Sequence, residues 1–254
     1  MNKKIILILT EPRTGSYLLN EAFNFYSLCT VGEFFLNPRS YQSPELSKLA
    51  YELYLNSEQL TGLFNFLKVE HDNRLELIKQ INLNPIDSVR KLYEISSQSL
   101  VIKIHDFQFD RYQLDELLDL PYVEVIILQR SNRMARYVSH LKAEQTNIWH
   151  TVDTSDIQVV VDREDFIKTE QESSNWFKKI KQRVSSKNYL EMNYERDLEN
   201  INKEQFYKLI DPWFEKINLD VTKTNYKIKI LKKQNKSKLQ YGITNYKEIK
   251  DLIQ

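Results

Sequence analysis

The chain has 254 residues, enough for one domain or one domain with a sizeable insertion. Its 36 lysines and arginines against 35 acidic residues leave no global basic field, which argues against DNA or RNA as a partner. The single cysteine, Cys29, excludes an intramolecular disulfide and a multi-cysteine metal cluster, and it is expected to be a small core side chain.

Lys3 and Lys4 followed by Ile5 to Leu9 imitate the start of a signal peptide, but Glu11, Pro12 and Arg13 close the apolar run too early. Ile5 to Leu9 make better sense as a buried first strand. No apolar segment approaches the ~20 residues needed to span a bilayer, so a soluble, cytoplasmic protein is expected. Thr10 to Leu19 then read as a turn leading into a helix, Tyr17 to Leu28. Strand, tight turn and helix aim backbone N–H groups and a positive dipole end at an anion. Arg13 adds a planar fork of donors, Thr14 and Ser16 add hydroxyls, and Gly15 lets the backbone bend. The loop lacks the G-x-x-x-x-G-K-[ST] spacing of a nucleotidase P-loop. It suits a phosphate- or sulfate-bearing group held by arginine where a Walker loop uses lysine.

Next comes Val31-Gly32-Glu33-Phe34-Phe35. A carboxylate after a glycine and beside two aromatics suits a pocket of low dielectric, where its pKa rises and it can act as a general base. A surface glutamate at a turn fits the same pattern. Residues 41–99 carry leucines at helical spacing, punctuated by Pro44 and Pro85, and predict two to four helices over the ligand edge of a sheet. They could form an acceptor pocket or serve as structural cover.

Leu100 to Ile104 is the second apolar strand. Lys103 and His105, on and just past it, share one side by alternation. They could supply a cation for developing charge and an alternative base, or a satisfied strand-end histidine. Arg111 to Leu118 predicts a helix, and Val123 to Leu128 a third strand. Arg130 follows that strand, and Ser139 lies about two turns into the next helix, Met134 to Thr146. An arginine at a strand end and a hydroxyl on the following helix can grip one phosphate together, the guanidinium bidentately. An arginine-rich helix start on the surface reads equally well. Glu164 to Ser185 predicts a helix, Tyr189 to Met192 a fourth strand, and Tyr246 to Ile253 a short final helix. Between Thr222 and Lys238 stand seven lysines and no acid, either a solvated surface or a local anion site. His71, His140 and His150 show no ligand spacing, so no metal site is expected.

Strands alternating with helices predict one α/β domain with right-handed crossovers and a central parallel sheet flanked by helices. Ligands of such sheets bind beyond the carboxyl ends of the strands, where the Arg13 loop is expected.

Together these elements resemble the PAPS-dependent sulfotransferases, PAPS being 3′-phosphoadenosine 5′-phosphosulfate. The similarity is to the bacterial carbohydrate branch of the trehalose sulfotransferase type. Pro12 to Leu19 is similar to that family's 5′-phosphosulfate loop, and Gly32 to Phe35 to the segment with its proposed catalytic glutamate, here Glu33. Arg130 with Ser139 resembles its 3′-phosphate motif, and Lys142 to His150 the stretch that follows. Leu190 to Asp197 resembles its strand and Tyr-Glu-Asp-like turn, and Leu231 to Gln234 its basic C-terminal segment. The chain departs from the branch at Tyr17, Ser131 and Asn147.

The resemblance implies a P-loop-like three-layer sandwich over residues 1–254, with a helical insertion at about 41–99. It implies metal-independent, in-line transfer of a sulfuryl group to a hydroxyl of a carbohydrate or glycan. Arg13, Thr14, Gly15, Ser16 and Tyr17 would hold the 5′-phosphosulfate, and Arg130, Ser139, Lys232 and Lys233 the 3′-phosphate. Glu33 would take the acceptor proton, with His105 as second choice and Lys103 near the transferring group. A kinase-like phosphotransferase is the main rival, weakened by the missing Walker lysine and the absence of an acidic magnesium-binding strand. A non-catalytic nucleotide- or glycan-binding module is the third reading. The sequence does not decide between a monomer and a homodimer.

Overall fold

Five parallel strands form the centre of the computed structural model, which describes residues 2–35, 55–71, 73–108, 111–146, 154–227 and 239–253. They are β1 (Ile5–Thr10), β2 (Cys29–Glu33), β3 (Leu100–His105), β4 (Val123–Gln129) and β5 (Leu190–Asn193), in the order β2-β3-β1-β4-β5. The described helices are α1 (Ser16–Ala22), α2 (Ser57–Phe66), α3 (Arg74–Leu83), α4 (Pro85–Ile95), α5 (Arg111–Asp119), α6 (Arg133–Thr146), α7 (Arg163–Arg183), α8 (Lys203–Lys216) and α9 (Tyr246–Ile249).

Every residue of β1 and β3 is buried, as strands covered on both faces require. Alternation sorts their side chains into two cores. Ile5, Leu7 and Leu9 join Ile102, Ile104, Val125 and Ile127 beneath α2, α3, α4, α5 and α7. Ile6 and Ile8 join Val101, Ile126, Leu128 and Met192 beneath α1 and α8. A third cluster packs Met134, Tyr137 and Val138 of α6 against Val159, Phe166, Ile243 and Ile249. The three-layer α/β architecture expected from the sequence is therefore present.

Two local expectations need correction. The predicted helix Tyr17 to Leu28 stops at Ala22, passes through one 3-10 turn at Phe23–Phe25, and becomes extended at Tyr26. Phe23, Phe25 and Tyr26 are all drawn into the α8 core, with Phe23 5.5 Å from Phe206 and Tyr26 5.0 Å from Phe214 between ring centroids. Spaced i, i+2 and i+3, these three aromatics cannot all share one face of a regular helix. The chain then forms β2, a strand the sequence did not announce. Thr30 and Gly32 dilute its apolar pattern, and a register shift lies between them, with Gly32 at φ 69°.

The described part of the expected insertion, residues 55–71 and 73–99, carries the three helices α2, α3 and α4. Its helices lie on one sheet face and at the amino-terminal edge, where Gln59 Nε2 donates to Ser96 Oγ at 3.1 Å and Lys3 Nζ to the Ser96 carbonyl at 2.8 Å. Residues 36–54 lie outside the described residues. Helix α8, absent from the predicted set, is opened by a capping box in which Asn202 Oδ1 accepts from Gln205 N–H at 2.9 Å.

The strand order decides where a ligand can sit. The chain leaves β1 toward β2 on one side, and leaves β4 toward β5 on the other. The carboxyl ends of neighbouring β1 and β4 thus flank a topological switch point, the position where such sheets open a crevice.

Candidate anion site at the sheet switch point

The loop after β1 is wound tightly. Arg13 has φ 66°, a left-handed conformation uncommon outside glycine, and Gly15 follows with φ 78° at the start of α1. Thr14 is fully buried. Its hydroxyl donates to the Glu11 carbonyl at 2.8 Å and touches the Thr10 hydroxyl, so it braces the loop from within. What Thr14 can offer an anion is its main-chain N–H. Ser16, also buried, opens α1, and Tyr17 beside it is half-buried.

Three sequence-predicted residues meet here. Arg13 Nε donates to Ser139 Oγ at 3.0 Å, linking the loop to α6. Arg130, one residue beyond β4, donates from Nη1 to the Arg13 carbonyl at 3.1 Å. The hydroxyl on α6 thus engages Arg13, and Arg130 grips the loop backbone, so the expected 5′ and 3′ halves form one connected cluster. Burial, and after it the charge of Arg130, lower the Arg13 pKa to about 10. Two guanidinium groups close together, one largely desolvated, make a site that favours an anion.

Glu33 and Lys103 are register partners on β2 and β3, and Thr10 faces His105 across β1 and β3. The predicted base, cation and anion loop therefore share the carboxyl edge of the sheet. Lys103 and His105 are both buried. The His105 ring stacks on exposed Phe107 at 5.6 Å, and its turn is held by Gln108, whose Oε1 accepts from His105 N–H at 2.8 Å. The Glu33 side chain, Lys232, Lys233, Trp149 and His150 lie outside the described residues. Tyr226 and Leu239, on either side of the lysine stretch, are anchored. Tyr226 OH donates to Glu21 of α1 at 2.6 Å, and Leu239 packs against the α6 cluster. Among the described residues no group of His, Cys, Asp and Glu is arranged to hold a metal ion.

A second charged layer, missed from the sequence, supports the loop. Glu11 is 1% exposed, 3.0 Å from Arg133 Nη1 and 3.5 Å from Arg136 Nε. Arg136 in turn reaches Glu170 of α7 at 2.7 Å. Such alternation lets four charges share a largely dry site. Asp106 sits at its margin with Oδ1 buried and without a hydrogen-bond partner. Burial and then Glu11 raise its pKa to about 6, against the pull of Arg136.

That shift carries a sign. The folded chain binds this proton more tightly than the unfolded chain, whose aspartate titrates near 3.8. The contribution to stability is greatest below both values and falls as pH rises through about 6. Asp106→Asn is expected to raise the melting temperature at about pH 7.5 and to flatten its fall between about pH 5 and 7.5. Thermal melts of both proteins check this, and equal pH slopes would contradict it.

No family model and no curated protein matches this chain. Among solved structures it is similar to the sulfotransferase domain from the Synechococcus PCC 7002 olefin synthase, at 16% identity and TM-score 0.47, over 85% of this chain and 73% of that one. It is also similar to the sulfotransferase domain from the curacin biosynthetic pathway, at 15% identity and TM-score 0.47, over 94% and 82% of the two chains. A retinol dehydratase in complex with androsterone and the inactive cofactor PAP is similar at 14% identity and TM-score 0.33, over 84% of this chain and 65% of that one. Likenesses of this degree leave the functional reading to rest on the site itself.

The turn after β5 completes the site. Tyr194–Leu198 form one π-helical turn. The Tyr194 ring lies against Gly15, where an added Cβ would fall 2.2 Å from Tyr194 Cδ2. The Arg130 guanidinium lies over the same ring, 5.0 Å from its centroid. The available signal was positional: Asn193-Tyr194-Glu195 follows the last strand at the carboxyl edge.

Proposed function

We propose that the chain is a PAPS-dependent sulfotransferase that moves a sulfuryl group to a hydroxyl of a carbohydrate or glycan. The observation that carries this reading is the pair Arg13 and Arg130, joined at the switch point and tied to Ser139. The donor set fits the nucleotide: two arginines, serine hydroxyls and loop amides suit sulfate and phosphate groups in the absence of a Walker lysine. When bound, PAPS supplies the sulfuryl group.

The chain's own residues hold and orient. Arg13, with the amides of Thr14, Gly15 and Ser16, binds the 5′-phosphosulfate and stabilises charge that gathers on the departing phosphate. Arg130 binds the 3′-phosphate, with Ser139 steadying Arg13 and with Lys232 and Lys233 closing the site. Glu33 takes the proton of the acceptor hydroxyl. Lys103, its register partner, balances charge near the transferring group, and His105 is the second candidate base.

Transfer of radiolabelled sulfate from PAPS to a panel of sugars, glycans and small alcohols tests the reading. Label is expected on a hydroxyl of at least one sugar, with magnesium chelated. Absence of transfer to every acceptor, with PAP still bound, would favour the binding module instead.

A further inference from the structure

Glu195 has no part in the reading above, yet its carboxylate accepts three hydrogen bonds at the site. Oε1 accepts from Arg130 Nε at 3.0 Å and from Asn132 N–H at 3.4 Å, and Oε2 accepts from Ser131 N–H at 2.8 Å. The Asn193 amide also donates to the Ser131 hydroxyl, so the turn after β5 is laced to the start of α6 at two points. Arg130 is held on three sides: by Glu195 at Nε, by the Arg13 carbonyl at Nη1, and by the Tyr194 ring beneath its plane. Those bonds use the Nε hydrogen and one of the two on Nη1, and Nη2 with the second Nη1 hydrogen is what they leave for an anion.

We propose that Glu195 is a positioning residue that fixes the Arg130 guanidinium and so makes the site selective for nucleotides bearing a 3′-phosphate. The proposal rests on the assignment of Arg130 to that phosphate. An arginine side chain free to rotate would lose entropy on binding, and one already clamped loses little. The clamp also fixes which donors face the ligand, a matter of geometry more than of charge. Glu195 also offsets the charge of Arg130, and a purely electrostatic role would act in the opposite direction. In that case its removal would tighten binding, and the sign of the change separates the two.

The experiment is a titration of PAP and of adenosine 5′-monophosphate, which lacks the 3′-phosphate, into wild type, Glu195→Gln, Arg130→Gln and the double variant. Wild type is expected to prefer PAP. Glu195→Gln is expected to lower that preference by about tenfold through weaker PAP binding, with monophosphate affinity unchanged. In the Arg130→Gln background the second change is expected to add nothing, because Glu195 acts through Arg130. An unchanged or enlarged preference in Glu195→Gln would overturn the proposal, as would equal weakening of both nucleotides, the mark of general structural damage. No preference in wild type would overturn the Arg130 assignment itself and the proposal with it. Should Glu195→Gln fail to fold, Glu195→Asp, which keeps the charge but shortens the reach, is expected to give the same loss of preference.

Discussion

Arg13→Ala is expected to weaken PAP binding by roughly two orders of magnitude while leaving the free protein nearly as stable as wild type. The guanidinium is largely desolvated and faces the charge of Arg130, which is why its pKa is lowered to about 10. It therefore remains cationic at neutral pH in a place that disfavours a cation. A bound phosphate or sulfate reverses that, and charge-assisted hydrogen bonds to a buried anion are worth about 3 kcal/mol, roughly 150-fold in affinity. Without a ligand the balance differs. Removing Arg13 loses the 3.0 Å bond to Ser139 but also relieves repulsion with Arg130. Calorimetric titration and thermal melts separate the two effects. Saturating PAP should raise the wild-type melting temperature, since 100 Kd of ligand adds about 2.7 kcal/mol, and should barely move that of the variant. Arg13→Lys should fall between them, because an ammonium cannot make the bidentate contact. Undiminished affinity in Arg13→Ala would remove the loop from the donor site.

The second large effect is on turnover. Glu33→Gln is expected to reduce sulfate transfer by about a hundredfold or more, the usual scale for losing a positioned general base, with PAP affinity preserved. Glu33 ends β2 in register with Lys103 of β3, which gives the carboxylate position a buried cation on the neighbouring strand. Glutamine keeps the size, but it is neutral and cannot take the proton. Full activity in Glu33→Gln, together with an inactive His105→Gln, would transfer the role to the buried histidine at the end of β3.

Four of the five strands were legible because each is a short, nearly continuous apolar run, the pattern that burial on both faces imposes. β2 was not. It has five residues, includes Thr30 and Gly32, and breaks register, so little of the period-two signal survives. The helix read across Tyr17 to Leu28 failed for a related reason. Phe23, Phe25 and Tyr26 extend the apolar run of the preceding segment in sequence, whereas their aromatic partners lie in α8, nearly two hundred residues away. Arg13 and Arg130 were expected near one another because each follows a strand at the carboxyl edge, and Ser139 because it lies on the helix after the second of them; their bonding to one another is what the structure adds. The partners of Glu11, Asp106 and Glu195 were not legible, even though Glu195 lies in a turn marked by its place after the last strand, because a carboxylate reveals its task only through the cations and amides that fold against it. Glu195 is separated from Arg130 by 65 positions, and no local pattern connects them.

Arg13 and Arg130 at the β1/β4 switch point are proposed to bind a 3′-phosphorylated, sulfated nucleotide without help from a metal. Equilibrium titration of PAP and of ATP, each with magnesium and with a chelator, tests it most directly. Tight PAP binding that is indifferent to magnesium, with weak ATP binding under both conditions, is expected. Magnesium-dependent binding of ATP with no binding of PAP would contradict it and point to a phosphotransferase.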